Sequence, residues 1–245
     1  MSREREHLLR EMGLGPIWKL RVVPVEAAVE LAPIAVPAAV GPRMSVAADP
    51  AAASSDQGAM SWENLRTAVA VCRKCRLCEA RSQAVLGVGD VNADWLFVGE
   101  GPGAEEDQRG EPFVGQAGKL LDNMLAGIGL KRGSDVYIAN AVKCRPPENR
   151  TPAPEETAAC LPYLERQVEL IRPKLIVALG RPAAQTLLQA EVKIAAARGR
   201  LHDYRGIPVI VTYHPAYLLR TLQDKAKAWE DLCFMRSTMA LRKGN

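Results

Sequence analysis

The apolar positions of this chain fall into two regimes that meet near residue 60. Before that point a short amphipathic helix is expected within 1–21, with Leu8, Leu9, Met12, Leu14 and Trp18 on its apolar side. Residues 22–60 are rich in Ala, Pro and Val with few charges, a composition that reads as a linker. The plain reading of 1–60 is a tethered tail. The functional one is a docking peptide for an unknown partner, with the helix's apolar side as the contact.

From Ser61 onward the pattern becomes regular. Ser61 is placed to cap a helix that runs to the first cysteines, although Asn64 stands where a capping box prefers Glu or Gln. Apolar runs at 94–98, 136–142, 175–179 and 208–212 predict buried strands. Helical spacing appears at 117–127, 154–171, the segment after Gly180 to 188, and 225–241. Strands alternating with helices predict an α/β fold in three layers, helix on sheet on helix, around a mostly parallel four-stranded sheet. The expected domain is 61–245. Ligands of such sheets bind beyond the carboxyl ends of the strands, here at 99–103, Asn140, Gly180 and His214.

Bulk composition narrows the class. The 245 residues are 48% hydrophobic and 24% charged, as in an ordinary soluble protein, and the net charge of +4 permits a polyanionic partner without demanding one. No secretory signal is visible in the charged, polar start, so none is expected. No apolar run approaches the roughly 20 residues that span a bilayer. The apolar stretch 22–40 is broken by Pro24, Pro33 and Pro37 and carries Glu26 and Glu30. The expectation is a cytoplasmic, monomeric protein without membrane contact.

Cysteine spacing supplies the strongest chemical signal. Cys72 and Cys75 form a C-x-x-C pair, while Cys144 and Cys160 come from distant segments. Thiols gathered this way suggest one metal or cluster site. Zinc competes as the metal, though structural zinc sites usually show two close pairs. Cys78 extends the first pair to a C-x-x-C-x-x-C run and competes with Cys144 or Cys160 as a ligand.

Three further features stand at strand ends, and Phe113, in the segment 111–115, is a fourth candidate. In the turn 99–103, Gly101 and Gly103 would allow unusual backbone angles and close approach to a ligand. Asn140 ends a buried strand, and its one acceptor and two donors match the N3–H and O4 edge of uracil. The alternative is an amide that caps the next turn. His214 follows a strand end and is either a satisfied core histidine or a donor to a leaving group's negative charge. Phe113 is either core or the face on which a flipped base stacks.

Together these segments resemble the family 4 uracil-DNA glycosylases, the iron–sulfur branch of that superfamily. The matching motifs are Gly99-Glu100-Gly101-Pro102-Gly103 with Glu105-Glu106-Asp107, Pro112-Phe113-Val114-Gly115, Asn140-Ala141-Val142-Lys143-Cys144-Arg145-Pro146-Pro147, and His214-Pro215-Ala216-Tyr217-Leu218-Leu219-Arg220. The resemblance covers about three quarters of the chain, from Ser61 to the last helix. It implies a uracil-DNA glycosylase fold, uracil-containing DNA as substrate, excision of uracil to leave an abasic site, and base excision repair as the setting. It also implies a [4Fe-4S] cluster on Cys72, Cys75, Cys144 and Cys160, leaving Cys78 free.

The same resemblance assigns roles. Gly101, Phe113, Asn140 and His214 would bind uracil, with Asn140 and His214 also acting in the chemistry. Glu100 and Glu106 are both candidates to activate water, and Glu106 could instead sit near uracil C5 and exclude thymine. Leu218, Leu219 or Arg220 would fill the gap left by the flipped nucleotide. Lys143, Arg145 and Arg150 would meet phosphates.

Three rival readings make distinct demands. A covalent uracil-trapping relative carries a histidine on a basic inserted loop after the Asn140 strand, and residues 145–154 contain no such histidine. An iron–sulfur electron carrier would leave Asn140 and His214 without a use. A zinc-stabilised nucleic-acid-binding module would be colourless.

Overall fold

Alternation of apolar side chains decides the layering. A computed structural model describes residues 60–244. The helix expected within 1–21 and almost all of the linker expected over 22–60 lie outside the described residues. In the strands β2 (Trp95–Gly99), β3 (Val136–Asn140) and β4 (Leu175–Leu179) every residue is buried. Both faces must therefore be covered. Leu96, Val98, Tyr137, Ala139, Ile176 and Ala178 point to one core, where Leu164 and Val168 of α5 (Pro154–Ile171) and Ala184 and Leu187 of α6 (Arg181–Leu188) meet them. Their neighbours Trp95, Phe97, Val136, Ile138, Leu175 and Val177 face Leu121 and Leu125 of α4 (Gln116–Gly127) and Leu232 and Met235 of α9 (Lys225–Lys243).

The sheet has six strands rather than four, in the order β1-β3-β2-β4-β6-β5. The central four, completed by β6 (Ile207–Thr212), run parallel. The edges are β1 (Val88–Gly89), antiparallel to β3, and β5 (Leu201–Tyr204), antiparallel to β6. Both escaped sequence reading for a physical reason. β1 has only two residues, and β5 alternates exposed and buried positions in a stretch too polar to register as an apolar run.

Local signals act as the sequence implied. Ser61 accepts from the Asn64 backbone N–H and caps α1 (Trp62–Ala70). Helix α5 begins with Pro154 at its first position, and the Glu156 carboxylate accepts from the Ala153 N–H. A third core of Leu65, Val69, Leu77, Val142 and Tyr163 surrounds Cys144 and Cys160. The short helices α2 (Leu77–Ala80), α3 (Ala104–Arg109), α7 (Ile194–Ala197) and α8 (Pro215–Arg220) fill the connections. Among the described residues no helix is long and apolar enough to cross a membrane.

Candidate active site

The carboxyl ends of β2, β3 and β6 open onto one pocket, lined by Glu100, Gly101, Glu106, Phe113, Asn140 and His214. Side chains more than 110 positions apart thus converge because their strands are parallel and end together. Arg150, Tyr217 and Arg220 line its outer part.

Asn140 is 2% exposed, and its Oδ1 has no hydrogen-bond partner. A buried acceptor in this state costs about 1–3 kcal/mol, so the atom is held ready for a donor from outside. Gly99 makes the space: a Cβ there would lie 2.4 Å from Asn140 Oδ1 and 2.6 Å from Phe113 Cζ. Phe113 is 6% exposed, and its ring centroid stands 5.4 Å from that of His214.

His214 closes the pocket from β6. Its Nδ1 accepts from the Ala216 N–H at 3.1 Å, capping α8. Burial, aided by the Arg220 charge, pushes its pKa down to about 4. The ring is therefore neutral near pH 7, and with Nδ1 an acceptor the proton resides on Nε2.

The two carboxylates differ in their surroundings. Glu106 Oε2 accepts from the Gly103 N–H at 3.1 Å, and its Oε1 accepts from Val114 and Gly115 N–H at 2.9 and 3.2 Å. It braces the 99–103 turn against the Phe113 loop. Glu100 has a pKa raised by burial, with Thr151 and Arg181 opposing that rise.

Some expectations are corrected. Gly101 and Gly103 are not among the positive-φ glycines, so neither is needed for an unusual backbone angle. Gly101 is required by packing instead, since a Cβ would meet Val142 Cγ2 at 2.8 Å. Leu218 cannot enter DNA, because it is 1% exposed and packs in the core beside Ile210 and Leu232. Leu219 and Arg220 are exposed. Lys143 cannot meet phosphate: it is 1% exposed, and its Nζ donates to the Asn140 carbonyl at 2.7 Å and to Gln167 Oε1 at 2.5 Å. Arg145 reaches Asn149 Oδ1 at 2.8 Å, and Arg150, exposed, pairs with Glu156 at 2.7 Å. Both remain near the pocket mouth, where Asn149 and Arg150 line it.

A second, small cavity is lined by Cys72, Cys75, Cys78, Cys144 and Cys160. The thiols ring it without converging as single-ion ligands do: among the described residues no group of three or more His, Cys, Asp or Glu side chains could hold one ion. Two donors point at its sulfurs. Arg81 Nη1 lies 2.9 Å from Cys144 Sγ, and the Lys143 backbone N–H lies 3.2 Å from Cys160 Sγ. Burial pushes the Cys160 thiol up to about 11, so a thiolate there needs positive charge beside it. All-sulfur ligation with N–H donors to sulfur suits an iron–sulfur cluster.

Sequence reasoning marked the 99–103 turn but not the room that Gly99 leaves for Asn140 and Phe113, and it missed Arg81. An arginine–sulfur contact across distant segments leaves no local trace.

Comparison with known proteins gives a consistent picture. A profile of the uracil DNA glycosylase superfamily matches residues 86–233. The type-4 uracil-DNA glycosylase of Archaeoglobus fulgidus is 48% identical over 167 residues, covering 65% of this chain and 83% of that protein. That of Thermotoga maritima is 48% identical over 158 residues, covering 64% and 82%. A type-5 uracil-DNA glycosylase of Pyrobaculum aerophilum is 34% identical over 146 residues, covering 53% and 64%.

Proposed function

Because this chain belongs to the uracil DNA glycosylase superfamily, and within it to the type-4 branch, we propose that it hydrolyses the N-glycosidic bond of uracil in DNA, leaving an abasic site that begins base excision repair. The observation that carries this reading is the orphaned Asn140 Oδ1 in the pocket that Phe113 and His214 also line. It lacks a donor, and uracil N3–H is one. The Asn140 amide N–H would then donate to uracil O4. Cytosine mismatches both positions, with an acceptor at N3 and a donor amine at C4.

The geometry supports the following steps. The nucleotide leaves the stack at a cost of a few kcal/mol. Leu219 and Arg220 take the role of filling the gap, and Arg145 and Arg150 that of meeting phosphates. Uracil stacks on Phe113. As the bond to the sugar breaks, the ring becomes an anion and His214 Nε2–H donates to its O2 side. The neutral ring is suited to this, since Nδ1 accepts from the Ala216 N–H and the one ring proton is thereby kept on Nε2. The sugar becomes oxocarbenium-like. Glu100 is the better water partner, because three backbone amides already occupy Glu106.

This assignment has a pH signature. Glu100 must be ionised to act as a base, and its pKa is raised. The single-turnover rate is therefore expected to fall on the acid side, with its midpoint above the ordinary glutamate value. Glu100→Gln should be slow and lack that limb. An unchanged limb in Glu100→Gln would remove Glu100 from the role.

The cavity thiols of Cys72, Cys75, Cys144 and Cys160 would hold a [4Fe-4S] cluster, with Cys78 the competing ligand. When bound, the cluster would supply cross-linking of these segments behind Asn140. Purified protein is expected to be brown and to contain iron and acid-labile sulfide. Cys160→Ala should lose both and Cys78→Ala neither. Stoichiometric zinc without iron would overturn the assignment.

The function itself is tested with a labelled oligonucleotide carrying one uracil. Strand cleavage that requires hot alkali is the expected result. Intact DNA after alkali would sink the reading, and an adduct surviving denaturation would point to covalent trapping.

A further inference from the structure

The loop that presents Phe113 depends on a residue far along the chain. Phe113 has φ 56°, a left-handed conformation that a bulky side chain seldom adopts. Neither its carbonyl nor that of Pro112 lies in a helix or strand. Both are taken by one guanidinium: Arg132 Nη1 donates to the Pro112 carbonyl at 2.8 Å, and Nη2 donates to the Phe113 carbonyl at 2.8 Å. Arg132 Nε donates to Asp122 Oδ1 of α4 at 2.9 Å. A planar fork held at three corners fixes both carbonyls in direction as well as distance. Gly118 lets α4 approach from below, since a Cβ there would stand 1.8 Å from the Phe113 carbonyl oxygen.

We propose that Arg132 is a positioning residue for uracil excision: by gripping the Pro112 and Phe113 carbonyls it holds the Phe113 ring at the tilt on which uracil stacks. This rests on the uracil-excision reading above. Arg132 is absent from the residues lining the pocket, so its effect must pass through Phe113. Lysine at 132 keeps the charge and loses the fork.

The test is a double-mutant cycle on the full chain, with Arg132→Lys, Phe113→Ala and the pair together. Single-turnover kcat/KM on uracil DNA, inhibition by free uracil and thermal melting are read for each. Arg132→Lys is expected to melt within a few degrees of the unsubstituted protein and to lose roughly 10- to 100-fold in kcat/KM, the usual consequence of a small misplacement at a reacting site. Inhibition by free uracil should weaken in parallel. In the Phe113→Ala background the same substitution should cost less than about twofold, because the group it acts through is gone.

Full activity in Arg132→Lys would overturn the proposal. So would an equal loss in both backgrounds, which would make Arg132 a general support of the fold. If Arg132→Lys melts low, Asp122→Ala, which removes the acceptor at the Nε corner only, should give a smaller loss that again vanishes without Phe113, and a loss that persists there would overturn the proposal. An unsubstituted protein that leaves uracil DNA intact would overturn the functional reading and this proposal with it.

Discussion

An Asn140→Ala enzyme is expected to lose roughly 10⁴-fold in kcat/KM on uracil DNA, the order by which a site built to hydrogen-bond its ligand depends on those bonds. The loss should appear mainly at the step after DNA binding, since the arginines proposed to meet phosphates, Arg145 and Arg150, make no hydrogen bond to Asn140. Stability should move the other way or stay level. The free protein carries Asn140 Oδ1 buried without a partner, and alanine removes that burden of about 1–3 kcal/mol, offset by the small void left behind. A binding assay, a single-turnover time course and a melting curve on one preparation check all three statements. Wild-type turnover in a folded Asn140→Ala protein would show that the amide does not read the base.

His214→Ala should lower kcat by about 10²- to 10³-fold with little change in KM, as expected when one preorganised donor to developing charge is removed. The same residue leaves a mark on stability. Its folded pKa of about 4 lies below the ordinary histidine value. The native state therefore resists a proton that the unfolded chain accepts. That contribution is fully present above the unfolded value and is lost as pH falls towards the folded one. Acid melting profiles of the unsubstituted protein and His214→Ala should converge at low pH, separate as pH rises from about 4 towards the unfolded histidine value, and keep a constant separation above it. Parallel profiles would place the ring in an environment no different from water. A large rise in KM would mean that His214 binds ground state and transition state alike.

Much of the site was legible because its residues occupy positions that strand patterns mark by themselves. A buried run ending at Asn140, a glycine turn after 94–98, and a histidine followed by proline after 208–212 each declare a strand end, and parallel strands bring such ends together. The failures have one source. Lys143 and Arg150 read alike as basic residues beside the cysteines, yet Lys143 is interred between the Asn140 carbonyl and Gln167, whereas Arg150 lies at the pocket mouth. Leu218 and Leu219 are adjacent leucines, but α8 turns the first into the core and leaves the second exposed. One helical step decides which can touch DNA, and composition carries no record of it.

By itself, the sequence determined the alternation of helix and strand, the burial of the central strands on both faces, and the chemical types at their carboxyl ends, because these follow from local periodicity and from what each side chain can donate or accept. Only the tertiary structure decided which of those groups remain unsatisfied and which are spent. Glu106 is consumed as a brace, Lys143 as an internal tie and Arg132 as a clamp, while Asn140 Oδ1 is left open. The reason is that hydrogen-bond satisfaction depends on through-space partners from distant segments, and those are set only when the layers pack.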